Sequence, residues 1–147
     1  MPFDAFISYS HAADHRLAPA LQSALHGFAK PWYRLRAMRT FRDKTSLAAT
    51  PKLWSTIERA LGESRYFILL ASPEAAASQW VRQEVEYWLA HNSADTLLIV
   101  VTGGAVVWDP STRRFDSSGT TALPGQLHAA FAEEPLYIDL SWAQHAS

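Results

Sequence analysis

At 147 residues with 48% hydrophobic residues, the chain has the size of one ordinary domain and enough apolar volume for its own core. A net charge of −1 gives no global pull toward nucleic acid or anionic lipid, and the absence of cysteine excludes disulfides, thiolate metal sites and a cysteine nucleophile. No run approaches the roughly 18 apolar residues of a membrane span and "MPFDAFISYS" lacks the basic start of a signal peptide, so the expectation is a soluble cytoplasmic domain.

Taken in chain order, the first β-prone run is "FDAFISY" at 3–9, followed by a helical pattern at about 15–28 and a weaker strand, "AMRTF", at 37–41. Thr50 and Pro51 read as an N-cap and first helical residue for a helix at 51–61, which Gly62 closes. "YFILLAS" at 66–72 and "LLIVVT" at 97–102 are continuously apolar rather than alternating, as strands covered on both faces are. Between them a helix at 78–91 starts from Ser78 as its cap. Residues 103–121, rich in Gly, Ser, Thr and Asp, form an excursion with a small hairpin in "VVWDPSTRRF". A helix at 122–131 and a last strand, "LYIDL" at 136–140, complete the chain. Alternating strands and helices predict an α/β, flavodoxin-like three-layer sandwich: a five-stranded parallel sheet with helices on both faces, in one domain over 1–147.

In such open sheets, ligands bind outside the carboxyl ends of the strands, which directs attention to "SYSHAADH", "FRDKTSLAAT", "ASPEAAAS" and "TGGAVVWD". A phosphoacceptor receiver would need acidic residues after the first strand and a Lys after the last. Ser8-Tyr9-Ser10 and Leu140-Ser141 stand there instead. Neither a G-x-G-x-x-G nor a Walker A string exists, and the G-x-S-x-G elbow of hydrolases is absent.

The stretch "ASQWVRQEVEYW" at 77–88 is more informative. Helical spacing puts Trp80, Glu84, Tyr87, Trp88 and His91 on one stripe, with Val81, Val85 and Leu89 on a neighbouring stripe facing the sheet. Glu84 thus falls in an aromatic band rather than on the charged face with Arg82 and Glu86. Two readings stand: a carboxylate reaching solvent or an Arg, or one partly desolvated at a cleft edge beside flat rings.

"FDAFISYS", "FRDKTSLAATPKLWSTIERAL" and "SRYFILLASPEAAASQWVRQEVEYW", in that order, resemble the first box, the second strand with BB loop and helix, and the third strand with W-x-x-x-E helix of the Toll/interleukin-1 receptor (TIR) domain. The resemblance covers nearly the whole chain and is strongest to bacterial members, which implies an N-terminal module of a longer multidomain protein. It further implies an NAD glycohydrolase (NAD+ nucleosidase) in which Glu84, the W-x-x-x-E glutamate, is catalytic, with NAD as substrate and no cofactor. The same resemblance implies ADP-ribose or a cyclic isomer as the product and antiviral defence in bacterial immunity as the setting. Substrate-binding positions carried over are Tyr9 and Ser10 after the first strand, Arg42 and Asp43 at the start of the BB loop, and Trp80 as a stacking face. Catalytic relatives often have a basic residue where Ser10 stands, a departure that bears on that phosphate contact. The resemblance also implies self-association through the 41–50 loop, which lacks the Pro-Gly turn of animal adaptors.

Each of these residues has a plainer role open to it. Ser8 to Ser10 suit turn and capping chemistry, Arg42 and Asp43 a loop salt bridge, and Trp80 helix packing. Lys30, Arg34, Arg36, Arg39, Arg42 and Lys44, six of the 13 basic residues, make a cluster that is either a solvated edge or a docking surface for a diphosphate or a neighbouring copy. His11 and His15 stand at i, i+4 with no third ligand at motif spacing, so no metal is expected. Trp54, Trp108 and Trp142 are expected as core or loop anchors. Two other functions remain beside the hydrolase: a non-enzymatic TIR to TIR interaction module, and a transferase acting on free nucleosides.

Overall fold

The computed structural model describes residues 3–10 and 53–140. Its elements are β1 (Phe3–Ser8), α1 (Leu53–Gly62), β2 (Ser64–Ala71), α2 (Pro73–Ala77), α3 (Gln79–His91), β3 (Leu97–Val101), β4 (Trp108–Asp109), β5 (Arg114–Phe115) and β6 (Tyr137–Asp139), with 3₁₀ turns at Ala94–Thr96 and Gly125–Leu127. The main sheet runs β1-β2-β3-β6 and every pairing in it is parallel. Four strands are thus described against the five expected. The run at 37–41, the helix expected at 15–28 and the Thr50-Pro51 start of the helix expected at 51–61 lie outside the described residues.

Why β2 occupies the middle of this sheet follows from its composition. Phe67, Ile68, Leu69, Leu70 and Ala71 are all buried although successive side chains point to opposite faces, so both faces are covered. On one face Phe6 of β1 stacks on Phe67 with centroids 6.0 Å apart, and Phe67 meets Trp88 of α3 at 5.5 Å. The register pairs Phe6 with Phe67 and Ser8 with Leu69, so Ser8 lies two residues beyond Phe6 on the face that α3 covers. Helices α1 and α3 pack on one another over this face.

The local signals for α3 are realised: the Ser78 Oγ accepts from the Val81 amide at 3.3 Å, and the helix ends at His91. "SPEAAA" forms a further short helix, α2, that its apolar pattern did not announce. Ser72 caps it by accepting from the Ala75 amide at 3.0 Å, with Pro73 at the first turn. The hairpin in the 103–121 excursion is present as β4 and β5, antiparallel, with Trp108 edge-on to Phe115 at 5.1 Å. Trp108 and Trp54 are half-buried against the core, as loop and helix anchors; Trp142 lies outside the described residues.

One expected element is corrected. The helix at 122–131 is reduced to the 3₁₀ turn Gly125–Leu127, with Pro124 extended at ψ 151° as its cap. Pro124 and Gly125 stand just inside the apolar pattern, where one lacks an amide hydrogen and the other loses most backbone entropy. Ala122, Leu123, Leu127 and Phe131 are buried all the same, so apolar spacing there reflects a packed loop rather than a helix.

Candidate active site

At the carboxyl edge of the sheet the loops after β2 and β3 are tied together. The amides of Thr102 and Gly103 donate to the Ala71 carbonyl at 2.8 and 3.3 Å, and the Thr102 hydroxyl reaches the same oxygen at 3.2 Å. Gly104 turns the chain away with φ +74°, a conformation that suits glycine. A Cβ there would stand 2.8 Å from Thr121 Oγ1 and 2.9 Å from the Pro73 ring.

Glu84 meets this edge from α3. Its side chain is 0% exposed, and the Ser8 hydroxyl donates to its Oε1 at 2.7 Å. Simple geometry accounts for the meeting. Trp88 is level with the Phe67–Phe6 pair; one helical turn back covers about 6 Å and reaches Glu84, while two strand residues onward from Phe6 cover about 6.6 Å and reach Ser8. Antiparallel travel of helix and strand therefore brings the two polar groups together beyond an apolar layer.

The stripe assignment along α3 needs correction. Glu84 and Trp88 share the sheet-facing stripe with Val81 and Val85, all buried, while Trp80, Tyr87 and Leu89 are half-buried beside it and His91 is exposed. At about 100° per residue, positions i, i+3, i+4 and i+7 fall in one arc, which takes in 81, 84, 85 and 88. Glu84 is therefore not at the rim of a cleft, nor does it reach solvent. It is the one buried charged side chain among the described residues, in a row otherwise filled by Val and Trp. A carboxylate in such a place demands hydrogen-bond donors, because an unpaired buried charge is costly.

Of the other candidate residues, Tyr9 and Ser10 follow β1 directly and are buried at 5% and 8% exposure, beside the strand end that carries Ser8. Trp80 lies one turn before Glu84 but packs on Trp54 of α1, with centroids 6.5 Å apart and rings 39° from parallel; Trp54 in turn meets Tyr87 edge-on at 6.5 Å. Arg42, Asp43, the rest of the basic cluster, the 41–50 loop and His11 and His15 lie outside the described residues. Among the described residues no cluster of three metal-ligating side chains occurs, and no helix is long and apolar enough to cross a membrane. Ser8 is the residue that motif reasoning passed over, being read as turn chemistry. The signal available was alternation in β1, which sets Ser8 on the same face as Phe6.

A family model described as the TIR domain matches residues 5–142. The chain is 54% identical over 144 residues to the "NAD(+) hydrolase ApTIR" of Actinoplanes sp., covering 98% of this chain and 20% of that protein. It thus spans about a fifth of that relative's length. No solved structure matches the chain. A parallel sheet with helices packed on it, a W-x-x-x-E helix whose glutamate is turned inward onto the first strand, and a family match from Ala5 to Trp142 together mean that the chain belongs to the TIR domain family.

Proposed function

We propose that this domain is an NAD glycohydrolase and that Glu84 is its catalytic carboxylate. The observation that carries the reading is a fully buried glutamate, held at 2.7 Å by Ser8 at the carboxyl edge of the sheet, in a chain 54% identical to a TIR protein named as an NAD(+) hydrolase.

The chemistry asks for one carboxylate. In NAD the nicotinamide is a cationic ring; as the bond from its nitrogen to the ribose C1′ breaks, the electron pair leaves with the ring and nicotinamide departs neutral. No acid is needed to protonate it, unlike the leaving oxygen of an ordinary glycoside. Positive charge moves instead onto C1′ and the ring oxygen of the ribose. A carboxylate in a water-poor setting stabilises that charge strongly, because it requires no solvent reorganisation as the charge develops. Water then adds to C1′ and loses a proton, giving ADP-ribose; capture by a nucleophile on the adenine of the same molecule gives a cyclic product.

In this proposal Glu84 also accepts from ribose hydroxyls, Trp80 offers its half-buried face to nicotinamide or adenine, Tyr9 and Ser10 line the cleft after β1, and Arg42 and Asp43 meet the pyrophosphate and its surroundings. NAD is substrate, and no other cofactor is required by these steps. Glu84 is sealed in the described chain, so binding must part the groups that cover it. That requirement fits activation by assembly: copies brought together through the 41–50 loop would open the site, in the cytoplasm, as an effector of bacterial immune signalling. A second reading, the non-enzymatic interaction module, draws on the same sealed carboxylate, since a resting chain would present no reactive group at all.

Purified domain at high concentration, with crowding to favour assembly, is incubated with NAD and nicotinamide release is followed for wild type and Glu84→Ala. Release by wild type and none by a folded variant is the expected result. No release by wild type at any concentration, with self-association intact, would favour the interaction module.

A further inference from the structure

We infer that Ser8 is a positioning residue for the Glu84 carboxylate, holding it ionised and in one orientation for the cation that forms on the ribose; this deepens the proposed glycohydrolase reading and rests on it. Both side chains are 0% exposed and 76 residues apart in sequence, so the 2.7 Å bond is neither local turn chemistry nor a surface accident. Val81, Val85 and Trp88 of the same helix stripe are buried with Glu84, as are Phe6 on β1 and Leu69 across from Ser8. A serine at the end of a strand otherwise read as Ala-Phe-Ile adds nothing to packing that alanine would not, whereas its hydroxyl gives the carboxylate a donor.

The two effects of this donor differ in kind. A hydrogen bond to the charged form favours that form, so Ser8 extends to lower pH the range in which Glu84 is ionised. It also fixes Oε1, and with it the plane of the carboxylate, which sets how closely the charge approaches the ribose C1′. No other charged side chain that is described on α1, α2 or α3 is buried: Glu58 is half-buried, and Arg59, Glu74, Arg82 and Glu86 are exposed; Glu63, just after α1, is half-buried. The buried phenol Tyr9 follows on β1. Ser8 donates directly to the carboxylate, at 2.7 Å.

The test measures kcat, KM and the pH profile of nicotinamide release for wild type, Ser8→Ala, Ser8→Thr and Glu84→Gln. Ser8→Ala is expected to lower kcat on the order of ten-fold or more with KM for NAD little changed, and to move the acid limb of kcat upward by about one pH unit. Ser8→Thr keeps a hydroxyl on a strand-compatible side chain and should restore the wild-type acid limb. Should Ser8→Ala fail to fold, Ser8→Cys keeps the volume with a weaker donor and should show a smaller upward shift of the same limb. A Ser8→Ala or Ser8→Cys enzyme with wild-type kcat and acid limb, beside a Glu84→Gln enzyme that is inactive, would overturn the role of Ser8 while leaving the glycohydrolase standing. Wild type without release would instead overturn the underlying reading.

Discussion

Trp88 is the residue on which the position of the site helix most depends. Its indole is fully buried against Phe67, and its Nε1–H donates to the Thr96 hydroxyl at 3.2 Å, tying the end of α3 to the turn before β3. Truncation to Ala removes a large side chain from a packed layer, which costs about 4 kcal/mol in transfer and cavity terms. For 147 residues the entropy of unfolding is about 0.3 kcal/mol/K, so Trp88→Ala should lower Tm by about 13 °C. Trp88→Phe keeps an aromatic ring but forfeits the indole hydrogen bond and part of the volume; about 2 kcal/mol, or about 6 °C, is expected. Thr96→Val should cost about 1 kcal/mol, because it leaves the indole donor partly buried without that acceptor. Thermal melts followed by circular dichroism, with urea titrations as an independent measure, read these differences. A Trp88→Ala protein melting within about 3 °C of wild type would refute the claim that this layer sets the register of α3 on the sheet.

Three further outcomes follow from particular contacts. Gly104→Ala should destabilise by about 2 kcal/mol, since φ +74° is unfavourable for a side chain and the new methyl would press on the Pro73 ring at 2.9 Å; the urea midpoint reads this, and an unchanged midpoint would contradict it. The Ser111 hydroxyl, with help from its amide, holds the Asp109 carboxyl below its ordinary value in the β4–β5 hairpin. A depressed folded value adds stability present above the unfolded value near 3.8 and lost as pH falls through the folded one, so Ser111→Ala should raise the Asp109 midpoint in a carboxyl NMR titration, leaving a remnant from the amide. Ser78→Ala removes the N-cap of α3 and should cost about 1 kcal/mol by the same urea measure, with nicotinamide release by the remaining folded protein unaltered.

Much of the fold was legible because its strands are long apolar runs. "YFILL" and "LLIVV" have no polar alternation, and this alone placed β2 and β3 in a doubly covered parallel sheet. Ser78 marked the start of α3 for a similar reason, a side-chain acceptor standing just before a helical pattern. The failure at 122–131 shows the limit of periodicity: a loop that packs four apolar residues inward can imitate a helix, and Pro124-Gly125 was the better signal. The site was half legible. Helical spacing made Glu84 conspicuous but left its stripe ambiguous, because 84 stands about 40° from 80 and about 60° from 81 around the helix, and only packing of Trp88 on Phe67 decides the rotation of α3. Ser8 needed the register of two elements 76 positions apart, a relation that no local pattern contains.

On the proposed mechanism the buried charge of Glu84 performs the chemistry, and Glu84→Gln tests it. The substitution keeps the volume and leaves an oxygen for the Ser8 hydroxyl, while removing the charge and exchanging the second oxygen for an NH2 donor. Opposite unit charges about 4 Å apart at an effective dielectric of about 20 attract by about 4 kcal/mol, on the order of a thousand-fold in rate. Single-turnover nicotinamide release from NAD by assembled, folded protein should therefore fall on the order of a thousand-fold in Glu84→Gln, with its melting temperature no lower than that of Trp88→Phe. Release within ten-fold of wild type would contradict the assignment of the catalytic charge to this residue.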